Sequence, residues 1–376
     1  MLKNKSFILL LSICLMFYAC VEPFSLEKQQ ERKILTVDAT INDLSGEQSI
    51  KIIDSYSGND SFYEIPVTNA KVEIIVNNTE RVVLTERGKG VYVLPISFHT
   101  RVGDTYKLAF QKDDGTKYES AEERQTSASE ITQIYDEFRL DGIETPLGFN
   151  PAHYVYIDTN DPADQKNNYM WTWKLWERQN ICATCIGGRF FLTPAPARCK
   201  AETAYSDVSY DYTCNGACWD MFYNKDLNVF TDVFSNGKPI LGRLVGKIPY
   251  YASSGALIEI KQQSISAEAY RYLKLLADQV QNNGSLVDTP PAAIIGNVKN
   301  ISNQDEAVAG FFMVTSVRSK RYWISRENAK GLAAPIGLVD HPIVYEPSQS
   351  DTSRPPLAPC NESNTRTTSR PEGWIN

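Results

Sequence analysis

The chain is predicted to be mostly β. We expect an N-terminal β-sandwich of the immunoglobulin or transthyretin type, followed by a larger β-rich domain with one helix and a cysteine-rich loop. Three observations lead to this fold class. The 376 residues include 20 Tyr, 15 Phe and 6 Trp, and aromatic residues are enriched in strands. Short segments of period-two alternation recur between turn residues, which indicates half-buried strands. A single segment has the apolar spacing of an amphipathic helix.

Residues 1–19 have the pattern of a signal peptide. Two lysines precede an apolar run that is too short to span a bilayer and ends at Ala19-Cys20. This arrangement resembles a bacterial lipoprotein signal, in which the cysteine is acylated and becomes the first mature residue. We therefore expect lipidation of Cys20, with palmitate-type acyl chains that hold the protein on a membrane, and a polar tether over residues 20–33. The alternative is an ordinary secretory signal that is cut nearby.

Residues 34–125 are expected to form the first β-sandwich. Val37, Ala39 and Ile41 alternate with polar residues, which places them on one face of a strand. The same alternation recurs several times before residue 125. Asp113-Asp114-Gly115 predicts a hairpin turn, because Asp-Gly tolerates positive φ.

Residues 133–345 are expected to form the larger β-rich domain, with the cysteine-rich loop at 180–228. The convincing helix covers 266–283, where Ser266 is a suitable N-cap and acidic Glu268 follows in the first turn. The last segment, 346–376, is rich in Pro, Ser, Thr and Arg, and we expect an extended C-terminal tail.

The cysteines indicate an exported protein. Besides Cys14 in the signal and Cys20, six cysteines remain. An even number in an exported chain predicts disulfides, with 15 possible full pairings. Four thiolates around a tetrahedral zinc ion are the alternative for part of this set. The disulfide candidates are Cys182, Cys185, Cys199, Cys214, Cys218 and Cys360.

No catalytic motif is recognisable in the sequence, so no catalytic residue and no cofactor are predicted. The three histidines lie outside any zincin motif, and there is no nucleophile elbow, phosphate loop or dinucleotide fingerprint. A net charge of −7 without a basic cluster argues against nucleic acid as a partner. One oxygen-rich run offers weak ligands for calcium, and an Asx/Pro turn explains it equally well. Its candidate ligands are Asp158, Asn160, Asp161 and Asp164.

Aromatic residues supply the candidate binding surface. Loops on a rigid β scaffold often carry binding sites, and exposed aromatics dominate many interfaces. The alternative is that these side chains fill a small core of the loop itself. Trp171, Trp173, Trp176 and Trp219 raise the further possibility of sugar stacking, although strand tryptophans usually belong to the core. The candidates in the cysteine-rich loop are Phe190, Phe191, Tyr210, Tyr212 and Trp219.

Several blocks, taken together, resemble one family, the Bacteroidota lipoproteins of domain of unknown function 4249. The resemblance covers nearly all of the predicted mature chain. It implies an outer-membrane lipoprotein, because members are typically encoded beside TonB-dependent receptors; it implies no catalytic residues. The blocks are Cys20-Val21-Glu22-Pro23-Phe24, Val37-Asp38-Ala39-Thr40-Ile41-Asn42, Tyr169-Met170-Trp171-Thr172-Trp173, the run from Gln262 to Tyr270, and residues 297–312.

The function expected from these observations is non-enzymatic. The chain is predicted to be a lipid-anchored binding or accessory protein of the outer membrane, on the cell surface. Its expected partner, implied by the resemblance, is a TonB-dependent receptor that takes up a ligand. The alternatives are a metal-dependent or hydrolytic surface enzyme and a carbohydrate-binding module.

Overall fold

The computed structural model describes residues 32–58, 62–281, 294–333, 339, 341–347 and 354–375. The predicted signal peptide, Cys20 and most of the tether lie outside these residues. The described chain is mostly β with one α-helix, as predicted.

The first ten strands belong to the N-terminal part of the chain. They are β1 Arg32–Asn42, β2 Ser49–Ser57, β3 Phe62–Pro66, β4 Lys71–Val76, β5 Glu80–Val83, β6 Thr85–Gly88, β7 Val91–Val93, β8 Thr105–Gln111, β9 Lys117–Ser120 and β10 Glu123–Arg124.

The remaining elements follow in chain order. They are β11 Ile131–Thr145, β12 Gly148–Asn160, β13 Asn168–Arg178, β14 Ile181–Ile186, β15 Gly188–Phe191, β16 Arg198–Ala201, a 3-10 turn Thr203–Tyr205, β17 Ser209–Thr213, β18 Trp219–Tyr223, β19 Asn228–Thr231, β20 Pro239–Pro249, β21 Ala256–Ser264, helix α1 Ala267–Gln281, β22 Val298–Asn300, β23 Val308–Ile324 and β24 Arg366–Thr367.

The first sandwich packs two sheets around one hydrophobic core. β1, β2, β3, β6 and β7 belong to one sheet, and β22, β9, β8, β4, β5 and β10 form the other. The predicted alternation of buried and exposed residues in β1 is confirmed, because Val37, Ala39 and Ile41 are all buried in this core. The predicted hairpin also forms: β8 and β9 pair, and Gly115 in their turn has φ +87°.

Strand β23 joins the two halves of the molecule in one sheet of eleven strands. Its first part runs parallel to β1, from Val308 beside Leu35 to Thr315 beside Asn42. From Ser316 onward it pairs antiparallel with β21. β22 likewise adds to the first sandwich through β9. The sandwich predicted over 34–125 therefore includes two strands that are distant in sequence, and whether 34–125 and 133–345 fold as separate units stays a prediction.

The change of partner on β23 occurs at a buried polar site. Thr315 and Ser316 have no exposed surface. Just beyond the end of β1, Asp43 accepts hydrogen bonds from the Ser316 hydroxyl at 2.6 Å and the Val317 amide at 2.8 Å. These bonds satisfy the buried groups where one strand partner ends and the next begins.

The second sandwich places the three-stranded sheet β11-β12-β20 against β13, β21 and the end of β23. Its core contains Val155, Ile157, Trp171, Ile258 and Ile260, all at 1 % exposure or less. Strand β20 pairs only with β12. Its other edge is therefore free of strand pairing among the described residues, and this edge borders the cavity described below.

Helix α1 packs on the face of the eleven-stranded sheet that points away from the two sandwich cores. The predicted N-cap is confirmed, because the Ser266 hydroxyl oxygen accepts a hydrogen bond from the Ala269 amide at 3.1 Å. Ala269 and Leu273 are buried, and they pack against Met170 and Phe311. The last two residues of the predicted helix 266–283 lie outside the described residues.

The C-terminal tail is more strongly attached than its composition indicates. β24 pairs with β18, and Cys360 is joined to Cys218 by a disulfide. Trp374 packs edge-on against Trp219 and Trp323, with ring centroids 5.8 and 4.9 Å apart. The described tail residues therefore return to the second sandwich.

Candidate functional site

The six cysteines of the second domain form three disulfides, in agreement with the prediction. The pairs are Cys182–Cys214, Cys185–Cys199 and Cys218–Cys360. The sulfur atoms of Cys182, Cys218 and Cys360 lie within 4.8 Å of one another. Because disulfide sulfurs carry no thiolate, the oxidised region does not offer the four-thiolate zinc site considered from the sequence.

The aromatic residues of this region were candidates for an exposed binding surface or, alternatively, for a small core of the loop, and the structure supports the small core. Phe190, Tyr210, Tyr212 and Trp219 are between 1 % and 8 % exposed, and Phe191 is half-buried. Phe190, Tyr210 and Tyr212 pack with the cysteines in a small core, and Trp219 joins the cluster around Trp374. A region held by disulfides has few other apolar side chains, so its aromatics fill its interior. The exposed apolar side chains here include Ile186, Leu192 and Tyr345.

Asp211 is the polar centre of the disulfide-linked region. This buried carboxylate accepts hydrogen bonds from the Thr184 hydroxyl at 2.7 Å and the Val344 amide at 2.8 Å. His341 Nε2 lies 3.1 Å from its Oδ1. The carboxylate therefore lies between hydroxyl and imidazole, whereas a catalytic triad needs the histidine in the middle. The arrangement fastens the 341–345 segment to β14 and β17.

A second histidine and carboxylate pair lies inside the second sandwich. His153 Nδ1 is 2.7 Å from Asp136 Oδ2, and the Tyr322 hydroxyl donates to Oδ1 of the same carboxylate at 2.7 Å. Although burial raises the pKa of Asp136, these hydrogen bonds outweigh it and hold the pKa below its usual value. His153 is 2 % exposed, and its Nε2 has no hydrogen-bond partner in the described chain. Phe138 and Tyr250 cover the ring, so no substrate reaches this nitrogen in the observed conformation.

The four calcium candidates lie at the end of β12 and in the hydrogen-bonded turn that follows it. Asp161 is buried and accepts bonds from the Tyr169 hydroxyl at 2.5 Å and the Gly237 amide at 2.8 Å. Asp158 accepts a bond from the Gly242 amide at 2.8 Å. Asn160 and Asp164 are exposed. Within the described ranges these residues form no cluster of three metal-ligating groups, and the contacts support the turn interpretation.

A cavity at the edge of the second sandwich is a candidate binding site. It has a volume of about 780 Å³ and opens between the unpaired edge of β20 and the segment that contains β19. This size falls in the range of small-molecule sites. Its wall includes Trp173, Phe230 and Leu244, and its charged lining consists of Asp226, Arg243 and Lys247.

Glycine in β20 makes room for the aromatic wall. A side-chain carbon added at Gly246 would lie 2.9 Å from Nε1 of Trp173, so the indole ring lies directly against the strand backbone. Trp173 is the one half-buried member of the four tryptophans considered for sugar stacking, since Trp171, Trp176 and Trp219 belong to cores.

Arg243 provides the principal charge of the cavity. Its guanidinium carbon lies 5.1 Å from the ring centroid of Trp171 and 5.5 Å from that of Phe230. Nη2 donates to Asn228 Oδ1 at 2.5 Å and to the Val229 carbonyl at 3.1 Å. Removal from water lowers the pKa of Arg243, because burial disfavours the charged form.

The sequence of the chain also matches the model of a protein family. The model described as a domain of unknown function (DUF4249) matches residues 21–321. The chain belongs to this family. No curated protein and no solved structure matches this chain. No helix in the described part of the chain is long and apolar enough to cross a membrane.

For this DUF4249 member, reasoning from sequence missed the cavity altogether. One side comes from β13 and β19, which pair with each other, and the other comes from β20, which pairs with neither and meets them through sheet packing. One local signal was available: Arg243 interrupts a β-strand whose neighbours Ile240 and Val245 are buried. A cation on the inward face of a strand indicates either an ion pair or a ligand contact.

Proposed function

We propose that this DUF4249 protein is a lipid-anchored, non-enzymatic binding protein of the outer-membrane surface, which works with a TonB-dependent receptor in ligand uptake. The observation that carries this proposal is the cavity at the edge of the second sandwich. It is large enough for a small ligand, and aromatic walls and one half-buried cation line it. Such a lining suits recognition.

The chemistry of the histidines supports binding rather than catalysis. His153 has its outer nitrogen enclosed by aromatic rings. In the Thr184, Asp211 and His341 cluster the carboxylate has the central position. General acid–base catalysis needs a titrating group within hydrogen-bond reach of the substrate, and neither arrangement offers one to the cavity.

The geometry of the sheet supports a tethered role. A lipid on Cys20 would hold the chain just before β1, which begins at Arg32. At the level of the cavity, Trp173 pairs with Ile260, and Ile260 pairs with Lys320. Along β23, Lys320 lies twelve residues beyond Val308, which pairs with Leu35 near the start of β1. At about 3.3 Å per residue, this separation is about 40 Å. The cavity would thus be held well away from the membrane attachment.

Two measurements test the proposal. In detergent partitioning, Cys20→Ser should release the protein into the aqueous phase or leave the signal peptide uncleaved, whereas wild type remains with the membrane fraction. Affinity purification of tagged wild type from solubilised outer membranes should recover a TonB-dependent receptor. Equal membrane association of variant and wild type, or the absence of any such receptor from the wild-type eluate, would contradict the proposal.

A matched pair of variants locates the receptor contact. Ile186 in the disulfide-linked region and Ile96 in the first sandwich are 82 % and 78 % exposed. We expect Ile186→Asp to reduce receptor yield, because charge is unfavourable at an apolar interface, and Ile96→Asp to leave it unchanged. The same yield from both variants would place the contact elsewhere.

A further inference from the structure

We propose that the cavity binds an anionic ligand with an apolar body, and that Arg243 is the residue that contacts its acidic group. This inference rests on the proposed binding function and adds the chemical class of the ligand. The class covers carboxylates and sulfonates attached to a hydrocarbon or aromatic frame.

Arg243 differs from two other arginines that have little exposed surface, Arg326 in the second domain and Arg366 in the C-terminal tail. Arg326 is fully buried and forms an ion pair with Glu177, and Arg366 donates to Asp220 Oδ1 at 2.7 Å. Among the described residues, no carboxylate oxygen lies within 4 Å of the Arg243 guanidinium. Its hydrogen-bond acceptors are the neutral amide of Asn228 and a backbone carbonyl. A buried cation normally has an anionic partner, and a ligand can supply it.

The hydrogen-bonding capacity of Arg243 is also only partly used. A guanidinium has five N–H donors, and Nη2 accounts for the two bonds described. The buried Nε has no hydrogen-bond partner in the described chain. A carboxylate or sulfonate is an acceptor of the right kind, because charged acceptors form stronger hydrogen bonds with arginine than neutral ones.

The remaining lining fits the rest of such a ligand. Phe230, Ile240, Leu244 and Val245 supply apolar surface, and the Trp173 ring supplies a flat wall. Lys247 adds a second positive charge, and exposed Asp226 is the one acidic side chain of the lining. A ligand with a single acidic group and an apolar body matches this distribution.

The test compares 2-naphthoate with its neutral counterpart 2-naphthamide, by isothermal titration calorimetry on the full mature chain with a matched detergent blank. Wild type should bind 2-naphthoate at one site, at least ten-fold more tightly than 2-naphthamide. Arg243→Met should remove this ten-fold difference, since methionine cannot donate a charge-assisted hydrogen bond to the carboxylate. Arg243→Lys should keep part of it.

Two further variants show where the probes bind. Leu244→Trp should weaken the binding of both, because the larger side chain occupies part of the cavity. Arg124→Met removes an exposed arginine of the first sandwich and should change nothing. If Arg243→Met does not fold, the wild-type preference for the anion and its partial reduction in Arg243→Lys decide the matter.

The outcomes separate this inference from the proposed function. Equal affinity of wild type for acid and amide, an unchanged preference in Arg243→Met, or no binding of either probe would overturn the ligand class. Preference for the anion without receptor co-purification would support the ligand class and contradict only the receptor partnership.

Discussion

Glu123, the first residue of β10, is a carboxyl group in an unfavourable environment. It is 3 % exposed, and Asn297 Nδ2 donates to its Oε1 at 3.4 Å. Burial raises the pKa of Glu123 to about 7, and the negative charge of Glu268 adds to the rise, while Ser266 and Asn297 partly offset it. The folded protein therefore binds a proton here that the unfolded chain would release near pH 4.5.

The consequence is a stability cost that increases with pH. Below about pH 4.5 the group is protonated in both states and costs nothing; the cost grows between pH 4.5 and 7 and is complete above pH 7. Glu123→Gln cannot ionise. We expect the stability gained by Glu123→Gln over wild type to be about 2 kcal/mol larger at pH 8 than at pH 5. This follows because one unit of pKa shift corresponds to about 1.4 kcal/mol.

Urea unfolding at both pH values measures this difference. Glu122→Gln, a change at the neighbouring exposed carboxylate, is the control and should give the same difference at both pH values. A Glu123→Gln effect that does not depend on pH would mean that the carboxyl group is not desolvated as the structure indicates.

Single residues also show what a sequence can reveal. Ser266 was identifiable as an N-cap because the signal is local: a hydroxyl, then an acidic first turn. The requirement for glycine at Gly310 was not identifiable from the sequence, although a side-chain carbon there would lie 1.9 Å from the Val37 carbonyl oxygen. The need for glycine arises from a strand about 270 residues away, which no local pattern records.

At the level of elements, the disulfides divide into local and long-range bonds. Cys185–Cys199 closes a separation of 14 residues and Cys218–Cys360 one of 142. In the chain-entropy view, the longer bond restricts the unfolded chain more. Replacing Cys218 and Cys360 by Ser should therefore lower the free energy of unfolding by about 2 kcal/mol more than replacing Cys185 and Cys199.

Denaturant titration of the two double variants gives the comparison, and peptide mapping without reduction checks that the other two disulfides stay in place. In wild type the same mapping should find no free thiol among the six cysteines. Equal losses of stability would indicate that strain or unfolded-state structure outweighs chain entropy.

The elements also mark where sequence reasoning ended. The faces of β1 followed from period two, and the cysteine count predicted disulfides. Tyr212 was a candidate for the exposed surface, but it packs with the disulfide-bonded cysteines, and its hydroxyl donates to the Glu346 carboxylate at 2.7 Å across 134 residues. The cavity was missed for a similar reason, since Trp173 and Arg243 lie on strands that do not pair.

On the scale of the whole molecule, β23 pairs with strands of both sandwiches, and we expect it to couple their stability. All six tryptophans lie beyond residue 170, so tryptophan fluorescence reports on the second sandwich and the tail. Leu108→Ala opens a cavity in the first sandwich, where Leu108 has no exposed surface, and such changes cost about 2–5 kcal/mol. Because the first sandwich contains β22 and part of β23, we expect this variant to lower the urea midpoint seen by tryptophan fluorescence.

Far-UV circular dichroism recorded on the same samples should give the same midpoint. Val83→Ala, at a position that is 65 % exposed in the first sandwich, is the control and should leave both midpoints in place. If Leu108→Ala shifts only part of the circular dichroism signal and leaves the fluorescence midpoint unchanged, the regions 34–125 and 133–345 unfold independently.

The position of β1 also determines how the protein would respond to mechanical force. β1 lies between β2 and β23, with eight paired positions on each side. A pull between a membrane anchor ahead of Arg32 and a partner on the second sandwich would act nearly along the strand axis. The backbone hydrogen bonds of its antiparallel ladder run across that axis, so many of them bear the load in shear at once and none can open singly. Under tension the weakest connection would then be the tether or the partner contact, and the folded body would stay intact while either one yields.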